Sequence, residues 1–246
     1  MERDDTISRG PRPRPLEVAV HRDAAYEPLH DLQRTLQSAV FRGDAPETLL
    51  LVEHRPVITL GRSAKREHLL VDETRLQGLG IALADVGRGG DITYHGPGQL
   101  VVYPIIDLRP DRCDVRRYMR DLEAVAIAVC ADFGIVAERD PGQTGVWVGA
   151  RKIAALGVRI SRWVTMHGLA LNVNPNFEHF RLIVPCGIQD RQVTSIAREH
   201  SALGDSEPAE APTLDEVERA WVRHFADHFG YTAEWSTPGN HAHAPS

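Results

Sequence analysis

Cys186 sits in the run IVPCGIQD, between Pro185 and Gly187. A proline holds its predecessor extended and a glycine removes a side chain beside the sulfur, so the thiol is presented at a loop tip as a candidate nucleophile. A lone cysteine is also a common small buried hydrophobe, and the local context leaves that reading open. A thiol with a pKa of about 8.5 is only a few per cent ionised at neutral pH, so a nucleophilic role needs a cation or base beside it. Lys152 is the candidate partner. It is the only lysine from residue 66 to the C-terminus, and it opens the apolar run KIAALGV. A partly buried ammonium next to a thiol stabilises the thiolate and, after losing its proton, serves as a base. On an edge strand the same lysine would only discourage aggregation.

Residues 88–103, RGGDITYHGPGQLVVY, hold four glycines, a proline, a histidine, a glutamine and two tyrosines in one loop that runs into an apolar strand. Glycine pairs occur where the backbone takes positive φ or lies against a ligand, which makes this a candidate ligand-facing loop. A bare hairpin turn accounts for part of the same composition. His95 in this loop and His167 in WVTMHGLALNV are two of twelve histidines. Both are assigned shaping and hydrogen-bonding roles ahead of catalytic ones.

These residues need positioning elements. Leu29, Leu32, Leu36 and Val40 recur at helical spacing and predict a helix over 27–41 stopped by Gly43. Apolar runs at 48–53 and 57–60 read as two buried strands. Asp72 can cap a short helix ending at Gly80, before a strand over 81–86. The strand over 100–108 is interrupted by Pro104, which suggests an edge or a bulge there. Asp114 caps the clearest helix, with Val115, Tyr118, Leu122, Val125, Val129 and Phe133 on one stripe; Cys130 adjoins it as a core residue, and Cys113 lies in the turn before. Strands follow at 135–138, 146–148, 152–160 and 165–172, joined by hairpin-length links. Residues 193–199 are a further helical candidate, 201–212 an acidic linker, and 214–229 a last helix stopped by Gly230. The sum is an α/β (α+β) domain, a mostly antiparallel or mixed sheet flanked by helices. Residues 1–16 are expected to be a disordered extension, 17–235 a single catalytic domain and 236–246 a disordered tail.

The 246 residues carry 28 basic and 34 acidic side chains, a formal charge of -6. That balance gives no footprint for nucleic acid, and no apolar run reaches membrane-span length. The charged, proline-rich start lacks the apolar stretch of a signal peptide, and three distant cysteines form no metal or redox pair. A cytoplasmic protein with free thiols is expected.

In combination, the loop at 88–103, GARKIAALGVRI with Lys152, MHGLALNV at 166–173 and VPCGI with Cys186 resemble the lipoyl(octanoyl) transferases. The resemblance runs from about residue 20 to 230. It implies the fold of the biotin-protein and lipoate-protein ligase catalytic domains, and a ping-pong transfer without cofactor or metal. Cys186 would take an octanoyl group as a thioester from acyl carrier protein, and Lys152 would lower the thiol pKa. Substrate-contacting segments map onto Arg88, Gly89, Gly90, Asp91, Ile92, Thr93, Tyr94 and His95, onto Ala155, Leu156 and Gly157, and onto Gly168, Leu169 and Ala170, with Tyr103 and His167 as auxiliary residues. The acceptor would be one lysine ε-amine on a lipoyl domain of a 2-oxoacid dehydrogenase or on the glycine-cleavage H protein, and the enzyme a monomer.

The residues themselves suit this chemistry. Acyl movement from thioester to amine is downhill and needs no ATP, and a medium chain gains about 0.8 kcal/mol per buried methylene in a slot walled by Ala155, Leu156, Leu169 and Ala170. Because the expected partners are acidic, Arg62, Lys65, Arg66, Arg88, Arg151, Arg159 and Arg162 are the expected members of a basic docking patch. Three rivals stay in view: an ATP-dependent lipoate-protein ligase using the lysine without a cysteine, a thiol-dependent acyl-thioesterase, and a non-catalytic acyl-binding module.

Overall fold

The computed structural model describes residues 13–184, 192–202 and 210–236. In chain order the elements are β1 (Arg14–Ala24), α1 (Tyr26–Arg42), β2 (Thr48–His54), β3 (Val57–Leu60), α2 (Glu73–Gly78), β4 (Ala82–Asp85), β5 (Ile92–His95) and β6 (Gln99–Ile105). There follow α3 (Val115–Asp132), β7 (Val146–Val148), β8 (Arg151–Ser161), β9 (Val164–Asn172), α4 (Phe177–Phe180), α5 (Ile196–Ser201), α6 (Leu214–Phe229) and β10 (Tyr231–Trp235). A seven-stranded sheet runs β10-β1-β2-β6-β9-β8-β7, and a three-stranded sheet runs β4-β3-β5. In the large sheet β1 is parallel to both β10 and β2, and all other neighbours are antiparallel. The mixed sheet flanked by helices is the expected fold class.

The apolar run of β2 shows why this sheet is covered on both faces. Leu49 and Leu51 join a cluster with α3 and α6, while the alternate Leu50 and Val52 join a cluster under α1. A strand buried on both sides needs no polar alternation. The helices start where their caps say they should: Asp114 accepts from the backbone N–H groups of Arg116 and Arg117, and Thr213 and Glu216 form a reciprocal capping box on α6.

Several expectations are corrected. Residues 14–16 are not part of an outlying extension: β1 begins at Arg14, whose guanidinium meets the Tyr231 hydroxyl at 3.2 Å. Ser236 likewise belongs to the domain, donating its N–H to Val18 O at 2.8 Å. The rest of both termini, residues 1–12 and 237–246, lies outside the described residues. No strand forms over 135–138; only Glu138 bridges Trp147. The helix placed at 193–199 begins at Ile196, where Ser195 caps it, and the short α4 was not foreseen.

Pro104 is the most instructive correction. β6 lies between β2 and β9 in the middle of the sheet, so Pro104 marks no edge. The β6–β9 ladder stops at Val102 opposite Leu169 and resumes with Asp107 opposite Val164. In the gap, Thr165 Oγ1 donates to Pro104 O at 2.6 Å and accepts from Ile106 N at 3.0 Å, so one hydroxyl satisfies two backbone groups where the proline, with no N–H to give, interrupts the ladder. Thr165→Val should therefore orphan two buried backbone groups and lower stability by about 1–3 kcal/mol, read as a reduced denaturant midpoint at unchanged slope. A midpoint equal to wild type would show that the gap is closed in some other way.

Candidate active site

The loop after β4 crosses β8 at the one place where β8 has no side chain in the way. Gly89 N donates to Val158 O at 3.1 Å, and a Cβ on Gly157 would stand 2.8 Å from Gly89 O. Gly90 supplies the positive φ, 88°, that brings the loop back toward β5. Arg88 locks this crossing from within: its Nη2 donates to Thr59 O at 2.8 Å, and its Nη1 to Gly89 O at 3.0 Å.

Between this loop and the large sheet lies a slot of about 490 Å³, open mouth included. Its sheet side follows the register Gly157–Gly168 and Ala155–Ala170–Val101, with Tyr103 one step further along β6. Glycine and alanine at four of these positions leave a smooth floor. Thr93 and His95 from β5 and Tyr26 from α1 complete the wall. Such a slot fits an unbranched apolar chain better than a bulky ligand.

Beside the Arg88 guanidinium and the Asp91 carboxylate, the imidazoles around the slot are held neutral. Asn172 Nδ2 donates to Thr194 O, Gln99 Nε2 donates to Asn172 Oδ1, and Gln99 Oε1 faces His95 Nδ1 at 2.7 Å. This chain assigns the proton to Nδ1 and leaves a lone pair on His95 Nε2. Burial, with His54 nearby, pushes His95 down to about 3. Burial likewise lowers His167 to about 3 and His54 to about 4. His54 Nε2 lies 2.8 Å from the Tyr103 hydroxyl, and that phenol is raised well above its usual value by burial.

The slot opens into a wider cleft of about 1090 Å³, solvent-facing space included, which shares Gly90, Asp91, Ala155 and Gly157 with it. Lys152 lines this cleft. Its side chain is buried, with Nζ 4.7 Å from the centre of the Trp147 ring. Its backbone is equally fixed, N donating to Gln192 O at 2.9 Å and O accepting from Thr194 N at 2.9 Å. The other lysine, Lys65, is exposed beside Glu67.

Cys186 lies outside the described residues. The described chain on either side of 185–191 is tied to the mouth: Val184 N donates to His68 O at 2.8 Å, and His68 Nδ1 meets Asp91 Oδ2 at 2.6 Å. Gln192, at the far end, is the residue bonded to Lys152.

Of the expected contact residues, Arg88, Gly90, Asp91, Ile92, Thr93, His95, Gly168, Ala170, Tyr103 and His167 line the slot, and Gly89 lines the cleft. Tyr94 does not. It points the other way into the core of the small sheet, with its hydroxyl 2.8 Å from His179 Nδ1. Leu156 and Leu169 border the slot but pack into the cluster beneath α3 and α6, so the alanines and glycines form the floor. The expected basic patch is not a continuous free surface. Arg88 is buried in the slot wall, Arg151 forks onto Glu199, Arg66 faces Glu73, and Arg162 covers the Phe41 ring. Tyr26, Val101 and His54 were missed, because only tertiary packing brings them here.

Among the described residues no cluster of His, Cys, Asp and Glu could hold a metal ion, and no helix is long and apolar enough to cross a membrane. Residues 25–226 match the lipoyl protein ligase A/B catalytic domain. The chain belongs to that family and, within it, to the octanoyltransferases. It is 50% identical over 201 residues to an octanoyltransferase of Solibacter usitatus, a match covering 82% of this chain and 87% of the relative. It is also 50% identical over 194 residues to the Myxococcus xanthus octanoyltransferase, where the match covers 76% of this chain but 52% of that longer relative. Among solved structures, lipoate-protein ligase A bound with ATP superposes with a TM-score of 0.67 at 17% identity, over 92% of this chain and 89% of the ligase, which shows a shared fold.

The three most strongly lowered histidines set a pH dependence, in the same direction as the lowered His30 and His179. Unfolded imidazoles titrate near about 6.5, whereas His54, His95 and His167 stay neutral down to about 4, 3 and 3 when folded. The unfolded state binds more protons below pH of about 6.5, so stability is full above that value and falls as pH drops toward 4. Urea midpoints at pH 7.5, 6, 5 and 4.5 should decline along this range; a flat profile would count against buried neutral imidazoles.

Proposed function

We propose that this protein transfers an octanoyl group from acyl carrier protein to a lysine ε-amine on a lipoyl domain through a thioester on Cys186. The observation that carries the reading is the slot itself: an apolar channel floored by glycine and alanine, opening onto the cleft that holds Lys152. The described ends of the segment bearing Cys186 are tied to the two sides of that opening.

In this reading the Cys186 thiolate attacks the donor thioester carbonyl, the carrier leaves as a thiol, and the acyl group remains on sulfur. The acceptor amine then attacks the same carbonyl, the amide forms, and the cysteine thiolate is expelled. Lys152, as a cation held over Trp147, favours the thiolate at both ends of the cycle; transferring its proton to the departing carrier thiolate leaves it able to accept one from the incoming amine. Alkyl burial in the slot, about 0.8 kcal/mol per methylene, keeps the chain in place while donor and acceptor exchange. Acceptors of this chemistry are the lipoyl domains of 2-oxoacid dehydrogenases and the glycine-cleavage H protein, and the compartment it needs is the cytoplasm. The enzyme would act as a monomer, with all groups from one chain.

Incubation with octanoyl-acyl carrier protein, without acceptor or ATP, should add one octanoyl group to the peptide containing Cys186, and Cys186→Ala should carry none. Lys152→Ala should slow that acylation by roughly 10²–10⁴-fold while leaving the fold intact. Absence of the adduct, or product formation only with ATP, would replace the transferase with an acid-activating ligase.

A further inference from the structure

His167 adopts a backbone that its strand does not require. It lies within β9, yet its φ is 58°, in the left-handed region that non-glycine residues seldom occupy. Such outliers persist where the surroundings hold them, and they gather at ligand-holding positions. This one turns an imidazole into the slot. The ring is buried, stacks on His30 with centroids 5.5 Å apart, and meets Tyr103 edge-on at 6.2 Å. It is also tied from behind, because the His167 backbone N–H donates to Gln33 Oε1 at 2.9 Å.

Three buried polar atoms are left over at this place. His167 Nε2, Gln33 Nε2 and Nε2 of the stacked His30 have no hydrogen-bond partner. A buried polar atom without a partner is costly, and such atoms are uncommon enough to call for an explanation. The linings of the two cavities supply one. Gly90, Asp91, Ala155, Leu156 and Gly157 belong to both the slot and the cleft, and Val158, the strand partner of His167, lines the cleft, whereas His167 belongs to the slot alone.

We propose that the His167 ring is the end wall of the slot and sets the length of acyl chain the enzyme accepts. The inference rests on the reading of the slot as the octanoyl site. A chain entering past Ala155 slides over Gly157, Gly168 and Ala170 and then meets an imidazole fixed by its backbone tie and its stacking on His30. One more methylene must displace that ring from its stacking on His30 and its backbone tie to Gln33. The end of the slot thus repels added length instead of merely running out of room.

His167→Gly and His167→Asn both tolerate the left-handed backbone and remove or shrink the ring. With octanoyl, decanoyl and dodecanoyl donors, the decanoyl-to-octanoyl ratio of kcat/KM should rise about tenfold or more in the glycine variant and by less in the asparagine variant. An unchanged ratio in folded variants overturns the proposal, as does an equal loss at every length. The wild-type enzyme gives a second measurement. An octanoyl donor with a diazirine at its penultimate carbon should label the peptides holding His167 or Tyr103 on illumination; label confined to 89–91 would overturn it. Ala155→Phe, which blocks the slot near its mouth, separates the two levels. If that variant transfers octanoyl normally, the slot is not the acyl site; if it is inactive while the His167 variants keep the wild-type ratio, only the end wall is wrong.

Discussion

Everything at the site depends on two backbones meeting at Gly157. The 88–90 loop can lie on β8 only because position 157 has no Cβ, and a methyl there would stand 2.8 Å from Gly89 O. That contact roofs the slot, places Gly90 and Asp91 at its mouth, and lets the Arg88 guanidinium bind Thr59 behind it. A side chain at 157 would lift the roof and separate the small sheet from the large one. The hydrophobic clusters under α1, α3 and α6 fix the sheet, but this crossing turns a covered sheet into a cavity.

Beneath the roof, next to the Arg88 guanidinium, the histidine and tyrosine rings are kept uncharged. His54, His95 and His167 are all driven to neutrality by burial, and the Tyr103 phenol is kept protonated by the same cause. The hydrogen-bond chain from His95 through Gln99 and Asn172 ends on Thr194, whose N–H holds the Lys152 carbonyl. One network therefore joins the slot wall to the strand that presents the lysine. Packing and hydrogen bonding act here on the same residues.

How much of this was legible in the sequence varied with the range of the interaction. α3 was readable because its Asp114 cap and apolar stripe are local, and β2 because a strand buried on both faces is continuously apolar. β1 and β10 were not, since their parallel pairing joins residues more than 200 positions apart and Arg14 and Pro15 disguise the start of a strand. At the site, the glycine loop, Lys152 and His167 stood out by composition. Tyr94 was misplaced because the pleat sends it away from the side that Thr93 and His95 occupy. Tyr26 and Val101 had no signal of their own, and Pro104 was taken for an edge or a bulge because the Thr165 hydroxyl that satisfies the Pro104 carbonyl and the Ile106 N–H is supplied by another strand.

Only two of the 28 basic side chains are lysines: Lys152, sealed against Trp147, and Lys65, beside Glu67. Guanidinium groups keep their protons at any physiological pH and do not attack carbonyls, whereas free amines do. A set of basic side chains that is almost wholly arginine offers a reactive acyl thioester few amine targets on the enzyme itself, so composition alone works against self-acylation.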